Sequence, residues 1–409
     1  MYSKGCDRVK ILLLGNGFDL YHKFPTRYDN FLHTVYFLQQ YYDEEKMLTV
    51  GDIFGDERLL ESDSFIPYCY DAYKEAYSLV KIDCEKINNI ISIAKENVWF
   101  EYFLSVYNKE LGWIDFEREI SKVVRAFEEF FYGYDNVNDV SFPNDDVDEY
   151  IILNFAFFLE YHPQHPHPSG LHIIPEKYTV LNEFQLEEPF GSKIVIIDKQ
   201  KIINKLYNEL LELAEILRLY LDVFVNSTID TLYTKSLINK NLIFDDSHRI
   251  ITFNYTNTFE QLYGGDNIYH IHGELCDKII LGINPDVNDE TNGESYADTE
   301  FLQFKKYYQR VLNGSDLDYL KSIKDIKERK QRIPHFYNEL YVAGHSLDIT
   351  DEDIIKEIFS LSDKIVIICY NDKAIANSIN NLVRIYGKKE FDRIRSFTNL
   401  EFKLYSDFE

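Results

Sequence analysis

The stretch KILLLGNGFDL, residues 10–20, starts as an unbroken apolar run and stops on Gly15, with a second glycine at Gly17. Short apolar runs without alternation are the pattern of a strand buried on both faces, as in parallel sheets covered by helices. A Gly-x-Gly at the end of such a strand removes two side chains, so a ligand can approach the backbone, and the amides of a following helix favour an anion. The third glycine of the dinucleotide-binding fingerprint is missing, and the chain runs on through FDLYHKFPTRYDNFL, which makes a longer turn than that fingerprint has. Thr26, followed three residues later by Asp29, resembles a capping box and predicts a helix start near Arg27. Asn16 and Asp19 either cap local amides or face a ribose hydroxyl, whose polar groups suit an amide or a carboxylate.

Runs of the same kind recur as RIITFNYT (residues 249–256), KIILGI (278–283), FYNELYVAG (336–344) and KIVIICY (364–370), each followed by a helical or turn pattern. Strands alternating with helices predict a Rossmann-like, mostly parallel α/β sheet, and the carboxyl edge of such a sheet is where ligands sit. Asn254 falls at that edge, as a pocket residue or as a turn residue. In YHIHGEL, His270 and His272 alternate on an apparent strand, so only one of them faces a given pocket. His272 precedes Gly273, where backbone can pass close to a ligand, and imidazole titrates in the range useful for proton transfer. In LYVAGHSLDITDEDI the apolar run stops on Gly344, and Ser346 is placed to donate to a phosphate or to cap a helix whose cap is Thr350 or Asp351. No Gly-x-Ser-x-Gly elbow surrounds Ser346, which argues against a hydrolase triad.

Between these runs helical spacing dominates, so the expected organisation is an α/β core of residues 1–50 and 245–409 with a mainly helical insertion at 51–244. Trp113, Phe116, Ile120, Val123, Phe127 and Phe130 lie three or four apart and share a helix face. Ile203, Leu206, Leu210, Leu213, Leu217, Tyr220 and Phe224 form a second stripe, read either as a seam for a homo-oligomer or as a helix packed in its own chain. YHPQHPHPSGLH, residues 161–172, is a loop by its prolines. His165 and His167 within it lack the companion spacing of a known metal site, so no metal is expected.

The 409-residue chain is 45% hydrophobic with 32 Tyr and 30 Phe, which predicts a folded protein despite a net charge of −26. That charge repels polyanions, so nucleic acid is disfavoured as a partner. The basic island KSIKDIKERKQR, residues 321–332, reads as a solvated helix face. No apolar run approaches the ~20 residues of a membrane span, and MYSKGCDRVK is too polar for a secretory signal, so a cytoplasmic protein without membrane contact is expected. Five cysteines without a Cys-x-x-Cys pair read as free thiols.

The ordered set GNGFDL, W-x-D-x-E (Trp113, Asp115, Glu117), FNYT, HIHG and GHSLD resembles the bacterial abortive-infection AbiH family of phage-defence proteins. At greater distance the same order is similar to sirtuin-like NAD-consuming domains. That similarity implies that Asn254 and His272 are catalytic and that Gly15, Asn16, Gly17, Phe18, Gly344 and Ser346 bind NAD as a substrate, with no separate cofactor. Asp19 stands where a sirtuin loop has a small hydroxyl residue, which marks it as a further nucleotide contact. The zinc module of a sirtuin deacylase needs four paired cysteines, and this chain has none. The resemblance implies antiphage abortive infection by hydrolysis of NAD at the nicotinamide–ribose bond. The other readings are a nucleotide sensor without turnover and an RNA-targeting toxin. A phage-derived trigger is implied but not identified by any residue.

Overall fold

The structure is a computed structural model, and it describes residues 8–109, 115–135, 151–161, 178–186, 196–234, 249–284 and 300–407. The chain separates into two compact units, one of Met1–Ser92, Glu215–Ile280 and Gln309–Glu409, the other of Ile93–Ala214 and Leu281–Tyr308.

The first unit is built on six strands: β1 (Arg8–Leu14), β2 (Arg249–Thr252), β3 (Ile268–His270), β4 (Tyr337–Ala343), β5 (Lys364–Cys369) and β6 (Leu400–Leu404). They lie in the order β3-β2-β1-β4-β5-β6, and every pairing is parallel. This is the doubly wound order, whose winding reverses between β1 and β4. β1 shows why its run is continuous rather than alternating. Val9, Ile11 and Leu13 enter one buried cluster, with Leu340, Val342, Ile365 and Ile367. Leu12 and Leu14 enter another, with Ile250, Ala343, Val366 and Ile368. Both sheet faces are dry, so both sets of side chains must be apolar.

The helices of this unit used below are α1 (Asn16–Tyr21), α2 (Tyr28–Tyr41), α3 (Thr258–Tyr263), α4 (Leu317–Arg332), α5 (Glu352–Leu361) and α6 (Asp372–Phe397). α4 contributes Tyr319, Ile323 and Ile326 to the first cluster, α5 contributes Ile354, Ile355 and Ile358, and α6 contributes Leu382 and Ile385. These are the three-and-four spacings of one helix face.

Two local expectations are corrected here. KIILGI is not a strand: the chain turns at Gly273, Ile280 N–H donates to the His272 carbonyl at 2.7 Å, and Ile279 and Ile280 are buried as loop residues. The capping box at the head of α2 is also one residue later than expected. Arg27 N–H donates to Asn30 Oδ1 at 3.2 Å, because the Thr26 hydroxyl is committed to Asn16 Oδ1 at 2.5 Å.

In the second unit the helix Phe116–Asp135 buries Phe116, Ile120, Val123, Phe127 and Phe130, as their spacing predicts; Trp113 lies outside the described residues. Asp115 Oδ1 accepts from the N–H groups of Glu117 (3.0 Å) and Arg118 (3.2 Å), so it caps that helix. Glu117 pairs with the buried Lys306 at 2.8 Å. Two short antiparallel pairs, Leu159–Tyr161 with Tyr178–Val180 and Gln185–Leu186 with Ile196–Ile197, also belong to this unit.

The stripe along Lys199–Leu221, from Ile203 to Tyr220 and on to Phe224, is buried at all seven positions. It therefore leaves no exposed seam for a second copy at these residues. His165 and His167 lie outside the described residues.

Candidate functional site

Sheet register brings the singled-out residues to one edge. Leu14 is level with Thr252 on one side and with Ala343 on the other, and Thr252 is level with His270. The residues one or two steps beyond that row are Gly15, Asn254, His272 and His345, each at the carboxyl end of its strand. They flank the point where the winding reverses, where doubly wound sheets bind ligands.

The two glycine turns at this point pack against each other. Gly17 N–H donates to the Gly344 carbonyl at 2.8 Å, and Gly15 N–H to the Ala343 carbonyl at 3.2 Å. A Cβ on Gly15 would stand 2.6 Å from His345 Cα, and one on Gly344, whose φ is +69°, would stand 2.1 Å from Phe18 N. The space freed by the missing side chains is thus taken by the protein's own backbone, which corrects the expectation that it is left for a ligand. Gly273 is alike: at φ +82° its added Cβ would meet the Lys278 carbonyl at 2.1 Å. Above these turns Asn16 and Ser346 are exposed, while Phe18 is buried. Asn16 is bonded to Thr26 through Nδ2 as well as Oδ1, pinning the loop before α2.

Asn254 is 7% exposed, and its Nδ2 donates to the Gly15 carbonyl at 3.2 Å, tying the end of β2 to the end of β1. The Asn254 carbonyl is in turn held by His270 Nδ1–H at 2.9 Å, and His270 Nε2 lies 2.6 Å from Glu260 Oε1 on α3. Two acceptors on one imidazole call for a proton on each nitrogen. Burial opposes that charge on His270, but the hydrogen bond and charge of Glu260 outweigh it and its pKa is raised. His270, which sequence reasoning set aside in favour of His272, therefore acts behind Asn254.

Asp19, in the first turn of α1, is 1% exposed. The Thr256 hydroxyl donates to its Oδ2 at 2.5 Å, while its Oδ1 is buried with no hydrogen-bond partner among the described residues. Desolvation raises its pKa to about 7, despite the tempering hydrogen bonds of Thr256, Thr258 and the Asn254 side chain and with a further push from the Glu260 charge. His22, one turn further on, does not offset this charge: burial lowers its pKa to about 4, and its nitrogens are engaged by the Phe18 carbonyl and the Tyr263 hydroxyl.

A third group was only partly visible in the sequence. Asp351 occupies the N-cap position of α5 but makes no side-chain cap bond. Its carboxylate lies between two histidines, with Oδ1 3.3 Å from His272 Nε2 and Oδ2 3.5 Å from His345 Nε2. His345 Nδ1 accepts the Leu347 N–H at 2.9 Å, so its proton sits on Nε2, facing Asp351. Leu347 is held at φ +54°, a conformation a leucine rarely adopts outside a constrained site. Phe253, the neighbour of Asn254, packs edge-on against both rings, with centroids 5.1 Å from His272 and 4.3 Å from His345. The Asn254 segment, the His272 turn and the Gly344–Asp351 turn are thus joined through Phe253 and Asp351.

Helix-terminus support for an anion, expected after the Gly15–Gly17 turn, is offset, and the same holds after Gly344. α1 carries Asp19 in its first turn, and α5 opens on Asp351, Glu352 and Asp353. The buried Arg310 is paired with Asp353. Most cations of the basic island on α4 are ion-paired, Lys321 with Asp318, Lys327 with Glu357, Arg329 with Asp325 and Lys330 with Asp363. Among the described residues no group of three or more His, Cys, Asp and Glu is arranged to hold a metal ion, and no helix is long and apolar enough to cross a membrane. Cys69, Cys84, Cys276 and Cys369 are free thiols.

Strand order and edge geometry define a doubly wound α/β protein with a buried polar cluster at its switch point. The model of the family described as bacteriophage abortive infection AbiH matches residues 11–372, and the chain belongs to that family, one of phage abortive-infection defence. No match was found among curated proteins, and none among solved structures.

Proposed function

We propose that this phage-defence protein hydrolyses NAD at the bond between nicotinamide and ribose, lowering a metabolite that the infected cell needs. The observation that supports the reading is that Phe253, the neighbour of Asn254, packs on His272 and His345, which flank Asp351 at the carboxyl edge of the sheet. Nicotinamide leaves as a neutral molecule from a cationic precursor, so no acid is needed for the leaving group, and the oxocarbenium-like centre on the ribose is what requires help. When the C1–N bond breaks, its electron pair goes to the pyridine nitrogen. Water then bonds to C1, and its proton goes to a base.

His272 is that base. Asp351 behind it steadies the imidazolium that forms, in the manner of a carboxylate orienting a catalytic histidine. Asn254 orients the ribose and the attacking water. The turns carrying Gly15, Asn16, Gly17, Phe18, Gly344 and Ser346 hold the remainder of the dinucleotide, with exposed Asn16 and Ser346 as polar contacts.

The test is incubation of the purified chain with a panel of nucleotides, with products resolved by mass. Nicotinamide and ADP-ribose from NAD are expected. Bound NAD recovered unchanged would instead favour a sensor of the same ligand. Loss of RNA with NAD intact would favour a toxin, a reading whose support falls once most of the basic island is ion-paired.

A further inference from the structure

We propose that Asp19 is the carboxylate that takes a ribose hydroxyl of the bound nucleotide, making the site selective for a ribosyl ligand. The inference rests on the nucleotide reading above and assigns it a residue with a distinct task. In doubly wound dinucleotide sites an acidic side chain some 20 residues beyond the glycine turn accepts from the ribose. Here the end of β2 supplies the neutral Asn254 instead, and the carboxylate comes from Asp19 on α1. Thr256 donates to Asp19 Oδ2 and so fixes the carboxylate plane, while Oδ1 is buried and unpartnered among the described residues. Buried acceptors in folded proteins are met by a donor in the great majority of cases, and an ionised carboxylate accepts only. A hydroxyl therefore complements it, whereas a phosphate or a carboxylate does not.

Among the described residues Glu260 Oε2 is also unpartnered, but the Glu260 charge is balanced by His270, whereas no described cation pairs with Asp19. The titratable groups facing Asp19 are Glu260 on α3, the neutral His22 on its own segment, and Tyr405, whose own pKa is raised chiefly by burial. With its pKa near 7, Asp19 is partly protonated at neutral pH, and taking the hydroxyl as an ionised acceptor releases that proton.

The experiment is calorimetric titration of the full chain with ADP-ribose at pH 7, in two buffers of different ionisation enthalpy. Wild type is expected to release about half a proton on binding. In Asp19→Asn the release is lost and affinity falls tenfold or more. A second measurement needs no variant: an ADP-ribose analogue without the 2- and 3-hydroxyls of the terminal sugar binds wild type tenfold or more weakly. Unaltered affinity for that analogue, unaltered proton release in Asp19→Asn, or no binding of ADP-ribose by wild type overturns the assignment. A wild type that passes these binding tests yet releases no nicotinamide from NAD overturns the hydrolase reading alone.

Discussion

Asp19→Asn should stabilise the protein at pH 8 while impairing its site. Burial raises the pKa of Asp19 from the ordinary 3.8 to about 7, so the folded state holds the proton more tightly than the unfolded chain does. Wild type therefore loses stability as the pH rises from about 4 through about 7, and above that range it carries the full penalty. That gap corresponds to about 4 kcal/mol. Asparagine keeps the Thr256 hydrogen bond and removes the charge, but it buries an amide donor where Oδ1 had no partner, at a cost of about 1–3 kcal/mol. The net gain expected at pH 8 is about 1–3 kcal/mol. By pH 5 it shrinks by roughly 2–3 kcal/mol and vanishes, because the wild-type carboxyl is then neutral in the folded state. Urea unfolding of both proteins at the two pH values measures the difference. A variant less stable than wild type at pH 8, or an advantage independent of pH, refutes the view that Asp19 is a strained, uncompensated acid.

Gly344→Ala is expected to lose about 2–5 kcal/mol in the same assay, from positive-φ strain plus the clash with Phe18 N. Gly314→Ala, also at positive φ but meeting only the Leu317 side chain at 3.4 Å, should lose about 1–2 kcal/mol. Equal losses would remove the argument that the two glycine turns are packed backbone to backbone. The His270–Glu260 pair should contribute about 1–3 kcal/mol. Because the folded-state pKa of His270 is raised, that contribution is complete below the ordinary value near 6.5 and fades as the pH rises through the raised one; Glu260→Gln should abolish this pH dependence in unfolding curves. Lys306→Met removes the buried cation paired with the part-exposed Glu117 and should cost about 1–3 kcal/mol, read by thermal or urea unfolding.

The strands of the α/β core were legible wherever burial on both faces forces an unbroken apolar run, as in β1, β4 and β5. β6 escaped notice because its residues are all half-buried and carry no such run. Strand order cannot be read from periodicity, since parallel neighbours are joined by long crossovers; yet once Leu14, Thr252 and Ala343 are set level, the convergence of Gly15, Asn254 and Gly344 follows. Asp351 was hidden by its position. An aspartate before a helix reads as a cap, and only the fold shows its carboxylate between His272 and His345 instead. His270 was hidden for a related reason, because its partners Asn254 and Glu260 are brought to it by tertiary contacts. The glycines were recognised as special, but what crowds them is the facing turn.

The central claim is that this edge of the sheet performs chemistry on NAD, and nicotinamide release by wild type, Asn254→Ala and His272→Ala, each shown to be folded, tests it most directly. Release by wild type that drops at least a hundredfold in both variants is the expected result. Release at the wild-type rate by His272→Ala, or none by wild type, contradicts it.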